Sequence, residues 1–465
     1  MALSGIIKYK IKKEEVFKMS DDSLQKLGYK QELKRELGFG GVVLFGMAMM
    51  FPVAPVVVFG AVSVVSQGHM ALAYLIAVIP MSFTAYSYGQ MAGAFPVAGS
   101  AYTYTRLSIN PFLGFFAGWA ILLDYALFPI LNYIVIGFFT TELIPALPFW
   151  GVVIAAVAFV TIVNLLGIKN LSRVNNLLVI FMFIAVLYFI ISCFTTVTAG
   201  PGFSGQAFFN PGEFEFPLLL AGTAIACFSF MGFDAMTTLA EEIKNPGKVL
   251  TKATIFVCFF MGGLFIIQAF FAQSVFPDFT AFTDEDSAFL DACYAAGGDN
   301  LVVFVIIAVV AGAVANAIDS QAGVSRVLYG MGRDRYIPHK IFAHLHKKTK
   351  VPTYTILICA LVGVIGASFD MDAIITTINF GALTTFMFVN LSVIFHFFIK
   401  GKKRSGMNII RYLIVPALGF LTVATLFISL QANAKIVGFI WLCVGFVCLA
   451  VATKGFKEKP KVLDI

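Results

Sequence analysis

Three aspartates interrupt stretches that otherwise hold almost only apolar residues. Asp124 stands beside Leu122, Leu123 and Tyr125, Asp234 follows Gly232-Phe233, and Asp319 keeps company with Asn316 and Ser320. A charge at mid-bilayer costs about 2.5–3.5 kcal/mol on insertion scales, so an acid in such a stretch is a functional candidate by default. Asp124 reads as the counter-ion of a substrate amine or as a proton carrier; the competing reading is a structural acid bonded to a neighbouring helix. Asp319, with Ser320, could hold a cation or a proton, or face water near a helix end. Asp234 could cap a half-helix. Glu241 and Glu242 read as solvated and His396 as structural.

Backbone chemistry is on offer as well. The segment Gly46-Met47-Ala48-Met49-Met50-Phe51-Pro52, with Pro55 just beyond, combines a flexible residue with two that lack an N–H and crowd the preceding turn. A second weak point, Cys227-Phe228-Ser229-Phe230-Met231-Gly232-Phe233-Asp234, joins a hydroxyl, a glycine and an acid. An interrupted helix in lipid needs protein or a cavity to take up its freed N–H and C=O groups. Half-helix N-termini would then offer dipoles to a carboxylate, and C-terminal carbonyls would hold an ammonium.

The elements that must carry these residues follow from composition. The chain has 465 residues, 59% hydrophobic and 12% charged, whereas soluble domains run at about 45–50% apolar and about 25% charged. A crossing helix needs about 20 mostly apolar residues, and such runs occur near 39–63, 70–92, 111–138, 147–167, 174–197, 217–240, 252–276, 301–326, 353–369, 373–399, 411–430 and 434–453. Twelve spans put both termini on one side. With the N-terminal tail inside, all of the 32 Lys and Arg except Lys435 fall on cytoplasmic segments, Arg106 among them in the loop after the second span. The spans were drawn from hydropathy alone, so agreement with the positive-inside rule is an independent check. The outer segment from Pro277 to Asn300 holds six acids and no Lys or Arg.

Several classes are excluded. The apolar runs lack the strict alternation of a β-barrel. No HExxH, Gly-x-Ser-x-Gly, phosphate loop or His cluster is present, so the chain is not read as an enzyme and no cofactor or metal is expected. Seven cysteines without a CxxC read as small buried hydrophobes. The polar tail, residues 1–38, has no signal-peptide pattern and reads as a retained cytoplasmic segment. The net charge of +7 is explained by topology and gives no support for nucleic-acid binding.

Further motifs carry a family likeness. Phe95-Pro96-Val97-Ala98-Gly99-Ser100-Ala101-Tyr102-Thr103-Tyr104, Gly118-Trp119, Lys244-Asn245-Pro246, and Ser325-Arg326-Val327-Leu328-Tyr329-Gly330-Met331-Gly332-Arg333-Asp334 with Pro338 beyond it resemble hallmarks of the amino acid–polyamine–organocation permeases over about residues 35–455. Within that superfamily the likeness is to bacterial putrescine importers, through Ser108-Ile109-Asn110-Pro111, Leu122-Leu123-Asp124-Tyr125, the segment Cys227 to Asp234, Ile378-Asn379-Phe380-Gly381-Ala382-Leu383 and Phe388-Val389-Asn390-Leu391-Ser392-Val393.

The resemblance implies an all-α membrane fold with a 5+5 inverted repeat of the LeuT type, helices one and six interrupted, plus two peripheral helices. The divisions are a tail (1–38), a ten-helix core (39–399), the peripheral pair (400–453) and a second cytoplasmic tail (454–465). It implies alternating access across the cytoplasmic membrane, with an amino acid or polyamine as substrate, a proton or sodium ion as coupling partner, and membrane lipid around it. A channel or a sensor on the same scaffold is the alternative class.

Substrate contacts are expected from Gly46, Met47, Ala48, Met49, Asp124, Cys227, Phe228, Ser229 and Gly232, and coupling or gating from Asp234, Asp319 and Ser320. Phe228 falls where several relatives place an aromatic over the substrate, and a ring face attracts an ammonium. The sequence also departs from the pattern. Gly46-Met47-Ala48 replaces Gly-x-Gly, Val57 replaces an acid of the putrescine importers, and Met182 stands where some proton-coupled relatives carry a lysine.

Overall fold

Proline, glycine and asparagine decide where the helices begin and bend. The computed structural model describes residues 37–97, 100–166, 171–200, 202–243, 245–333, 338–346 and 351–456; most of both tails therefore lies outside the described residues. In chain order the helices are α1 (Phe39–Met49), α2 (Ala54–Val65), α3 (Met70–Ala94), α4 (Ser100–Ser108), α5 (Pro111–Leu143), α6 (Phe149–Leu166), α7 (Leu171–Ala199), α8 (Phe216–Ala226), α9 (Pro246–Val275), α10 (Ala288–Arg333), α11 (His339–Phe342), α12 (Thr353–Gly366), α13 (Met371–Val393), α14 (Met407–Ile409), α15 (Val415–Ser429) and α16 (Ala432–Ala452). The long α5 shows the logic of a start. Pro111 occupies its first turn, where no N–H is needed, and the Asn110 side chain accepts from Leu113 N at 2.9 Å.

Among the described residues ten helices are long and apolar enough to cross a membrane, and α1 with α2 passes the same test as a pair bent by 47°. The expected ninth span differs: α12 has only 14 residues, ending at Gly366, which is short of the about 20 a crossing helix needs. The expected eighth span lies within α10, in the part after Gly298 (φ 64), where a kink separates it from a shorter buried helix that begins at Ala288. Arg106, expected in a loop, sits on α4 and is buried, with its guanidinium 5.3 Å from the Tyr102 ring centre.

The outside of the bundle is oily. Leu166, Leu177, Ile428 and Val451 are 61–75% exposed on α6, α7, α15 and α16. An apolar surface of this extent suits hydrocarbon and not water. Four cysteines are buried as expected, while Cys443 and Cys448 face outward on α16. The inside is packed with large rings: Phe59, Tyr74, Tyr88, Tyr104, Phe230, Phe233 and Phe265 are essentially fully buried. A reciprocal clasp fastens α16 to α5. Trp119 and Trp441 stack 4.8 Å apart, and each indole N–H donates to the other's carbonyl at 2.8 Å.

Candidate functional site

Both weak points are broken helices, and they meet. α1 ends at Met49; Phe51 then takes φ 54, a left-handed conformation that costs a non-glycine residue about 1–2 kcal/mol, before α2 resumes. α8 ends at Ala226, passes through a 3-10 turn at Cys227–Phe230, turns at Gly232 (φ 106), and continues as 3-10 helix over Asp234–Glu242. A Cβ on Gly232 would lie 2.7 Å from the carbonyl carbon and oxygen of Met49. Only a glycine allows the two backbones this approach. Gly46 faces the Met236 side chain instead, one turn further along.

The freed carbonyls find side-chain donors from three other helices. Asn316 Nδ2 on α10 donates to Met49 O at 3.2 Å, and Gln268 Nε2 on α9 donates to Pro52 O at 3.1 Å. Asn379 Nδ2 on α13 donates to Ala224 O at 3.0 Å. The Ser229 and Tyr74 hydroxyls share a hydrogen bond of 2.7 Å, which holds the second break against α3. Unsatisfied buried backbone groups would cost several kcal/mol each in lipid, so these amides are what makes the interruptions tolerable.

Between the breaks and α5 lies a cavity of about 20 Å³, lined by Met49, Met50, Phe51, Ala54, Val57, Phe128, Leu131, Asn132, Val135, Phe228, Met231 and Asn316. That is room for about one water molecule, and less than any organic solute needs. Its two polar side chains are linked, since Asn132 Nδ2 donates to Asn316 Oδ1 at 3.1 Å. No lining side chain carries a charge. Phe128 and Phe228 stack 5.8 Å apart on one side of the chamber.

One helical turn from Phe128 is Asp124, 4% exposed, with one carboxyl oxygen buried and without a hydrogen-bond partner. Asp124 lies within electrostatic reach of Asp234, whose carboxylate accepts from the Tyr125 hydroxyl at 3.0 Å. Gly381 of α13 lets that helix approach Asp124 N to 3.1 Å from an added Cβ. Tyr88 and Tyr104, fully buried with hydroxyls towards Ser100 and Thr237, complete this polar cluster.

Of the residues expected to touch substrate, Met49 and Phe228 line the chamber. Gly232 acts through its approach to the Met49 backbone, Gly46 packs under the Met236 side chain, and Met47 is buried against the core. Ser229 faces Tyr74, and the Cys227 thiol is near Cys258. Asp319 and Ser320 lie further along α10; Ser320 Oγ donates to Ala317 O at 3.3 Å. Sequence reasoning missed Phe128, Leu131, Asn132 and Val135. The available signal was Asn132, a polar residue eight positions after Asp124 and so close to the same helix face. Val57, the departure from the putrescine-importer pattern, lines the chamber, and Met182, the other departure, packs with Phe51 around Gly312.

The chamber is shut on both sides. Leu37 N donates to Glu242 O at 3.0 Å, tying the start of α1 to the end of the second broken span. At the opposite end, Gly222 packs on Ser66, and Gly60 of α2 packs on the backbone of Glu285 in the acidic segment 277–300.

Comparison with known proteins adds the lineage. The family model described as amino acid permease matches residues 41–459. The low-affinity putrescine importer PlaP of Escherichia coli strain K12 is 35% identical over 439 residues, which is 93% of this chain and 97% of the importer. The branched-chain amino acid permease BcaP of Bacillus subtilis is 26% identical, covering 90% of this chain and 92% of its own length. Cationic amino acid transporter 4 of mouse is 25% identical over 82% of this chain and 63% of the mouse protein.

Proposed function

The chain belongs to the amino acid permease family and is a multi-pass membrane transporter, and on that premise we propose that it carries a small organic amine by alternating access across the cytoplasmic membrane. The observation that carries this reading is the meeting of two broken spans at Gly232 and Met49 across a closed chamber. A bound solute must widen that chamber, and widening it parts contacts that close its two ends in turn.

In this reading, α1 to α13 form two inverted halves of five spans each, α12 counting as the short ninth, and α15 and α16 are peripheral. The core is 39–399, the peripheral pair 400–453, and both tails, 1–38 and 454–465, are cytoplasmic. The ammonium of the substrate sits among the carbonyls near Met49, the faces of Phe128 and Phe228, and the carboxylate of Asp124. Gly46, Met47, Ala48, Cys227, Ser229 and Gly232 shape the backbone around it. Asp234, Asp319 and Ser320 serve coupling or gating, with a proton or sodium ion as the second passenger.

The faces of Phe128 and Phe228, with the carboxyl groups of Asp124 and Asp234 beside the chamber, favour an amine over an acid. Putrescine is a candidate through the importer relative, and amino acids through the permease relatives. Uptake of a diamine moves two charges, worth about 4.6 kcal/mol per 100 mV, so potential alone could drive it. A zwitterion gains nothing from the potential and needs the coupling ion. Proteoliposome uptake of labelled putrescine and of an amino acid panel, with and without an imposed potential, distinguishes the two. Uptake of neither, in protein shown to be folded, would sink the reading.

A further inference from the structure

A groove of about 390 Å³ opens between α3 and α9, away from the chamber, at the end of the bundle that carries the basic segments. Its walls are small where the helices approach: Gly93 and Gly247 face each other, and Gly89 lies against Thr251. Lys248 and Lys252, one turn apart on α9, stand at its rim, and Phe397 supplies an apolar wall. Both lysines are exposed, and no acidic side chain lines the groove. A third cation is close, because Lys403 Nζ lies 5.0 Å from the Phe397 ring centre.

Two features select the kind of anion. The first turn of α9 starts at Pro246 without a side-chain cap from Asn245, which leaves its amide N–H groups to an outside acceptor. The lysines also continue into an aromatic ridge. Lys248, Lys252, Phe256 and Phe260 follow at four-residue spacing, the two rings stack 5.8 Å apart, and they are 45% and 43% exposed. A free phosphate would use the charges and gain nothing from the rings. A phospholipid uses both.

We propose that this groove binds the headgroup phosphate of an anionic phospholipid from the adjoining leaflet, with an acyl chain lying along Phe256 and Phe260. Basic pockets between membrane helices bind such headgroups. The position gives the lipid leverage: α9 begins four residues after Glu242, at the end of the second broken span, so a bound headgroup braces the segment that closes the chamber.

The test is native mass spectrometry of the full-length protein, offered phosphatidylglycerol and phosphatidylcholine in equal amounts. Two basic side chains near the surface should together give about a thirtyfold preference for the anionic lipid. The double variant Lys248→Gln/Lys252→Gln should lose it, while Lys435→Gln, at the other end of the bundle, should keep it. Millimolar inorganic phosphate should fail to displace the lipid. Equal retention of the two lipids by the unaltered protein overturns the proposal, as does a preference that survives the double variant or is lost in Lys435→Gln. Displacement by phosphate overturns it in favour of a soluble-anion site.

Discussion

Gly232→Ala is the sharpest perturbation of the meeting between the two breaks. The backbone at 232 has φ 106, and an added Cβ would lie 2.7 Å from both the carbonyl carbon and oxygen of Met49. Holding an alanine in that conformation costs about 1–3 kcal/mol, and forcing an extra carbon into packed backbone costs about 1–3 kcal/mol more. The neighbour is main chain and cannot rotate away, so the sum, about 2–6 kcal/mol, is relieved only by moving the broken segments apart. At 1.36 kcal/mol per tenfold, even the lower figure is about thirtyfold in the closed population.

The assay is initial uptake of labelled amine into proteoliposomes at matched protein content, beside thermal unfolding in detergent. Gly232→Ala should lose at least about thirtyfold in flux and melt earlier. Gly263→Ala is the control: its Cβ would meet nothing within 4 Å on α9, so it should transport normally and gain a few tenths of a kcal/mol. Undiminished flux and melting temperature in Gly232→Ala would mean that the breaks do not depend on this contact, and the argument for the chamber would fail.

Asp124→Asn should abolish or strongly reduce amine uptake while keeping the fold, because it removes charge and little volume; unchanged uptake and unchanged substrate affinity would remove Asp124 from the site. Tyr74→Phe and Ser229→Ala each delete one end of a 2.7 Å hydrogen bond, and a double-mutant cycle on thermal stability should show coupling of about 0.6 kcal/mol, the average for membrane-buried pairs. Strictly additive effects would show the bond contributes nothing.

Burial, with Asp372 and Asp284 nearby, pushes the Asp286 carboxyl in the acidic segment 277–300 up to about 7. The folded form therefore holds a proton that the unfolded form releases near 4, and stability should fall as pH rises from about 4 to 7. Asp286→Asn should flatten that part of the melting-temperature profile; an unaltered slope would place its origin elsewhere.

Much of the plan was legible because the bilayer imposes it on the chain locally. Run length and apolar content mark the ten helices long enough to cross and the bent pair α1–α2, and Pro52, Pro55 and Gly232 mark both breaks, since each removes a donor or admits a conformation other residues resist. The length of α12 is less legible, because hydropathy averages across Ala367–Phe369 whereas the helix ends at Gly366. Arg106 reads as a loop residue by its charge, whereas the short helix α4 carries it into the protein interior.

The chamber wall was not legible in the same way. Phe128, Leu131 and Val135 look like any lipid-facing apolar residue on α5, and which of them faces inward depends on where α10 and α13 come to rest. Nor could sequence order say that Asn316 would reach Met49, or Asn379 reach Ala224, across more than 150 positions of chain. A broken helix announces itself through its own residues; the donors that repair it come from wherever packing brings them, and only the folded bundle decides that.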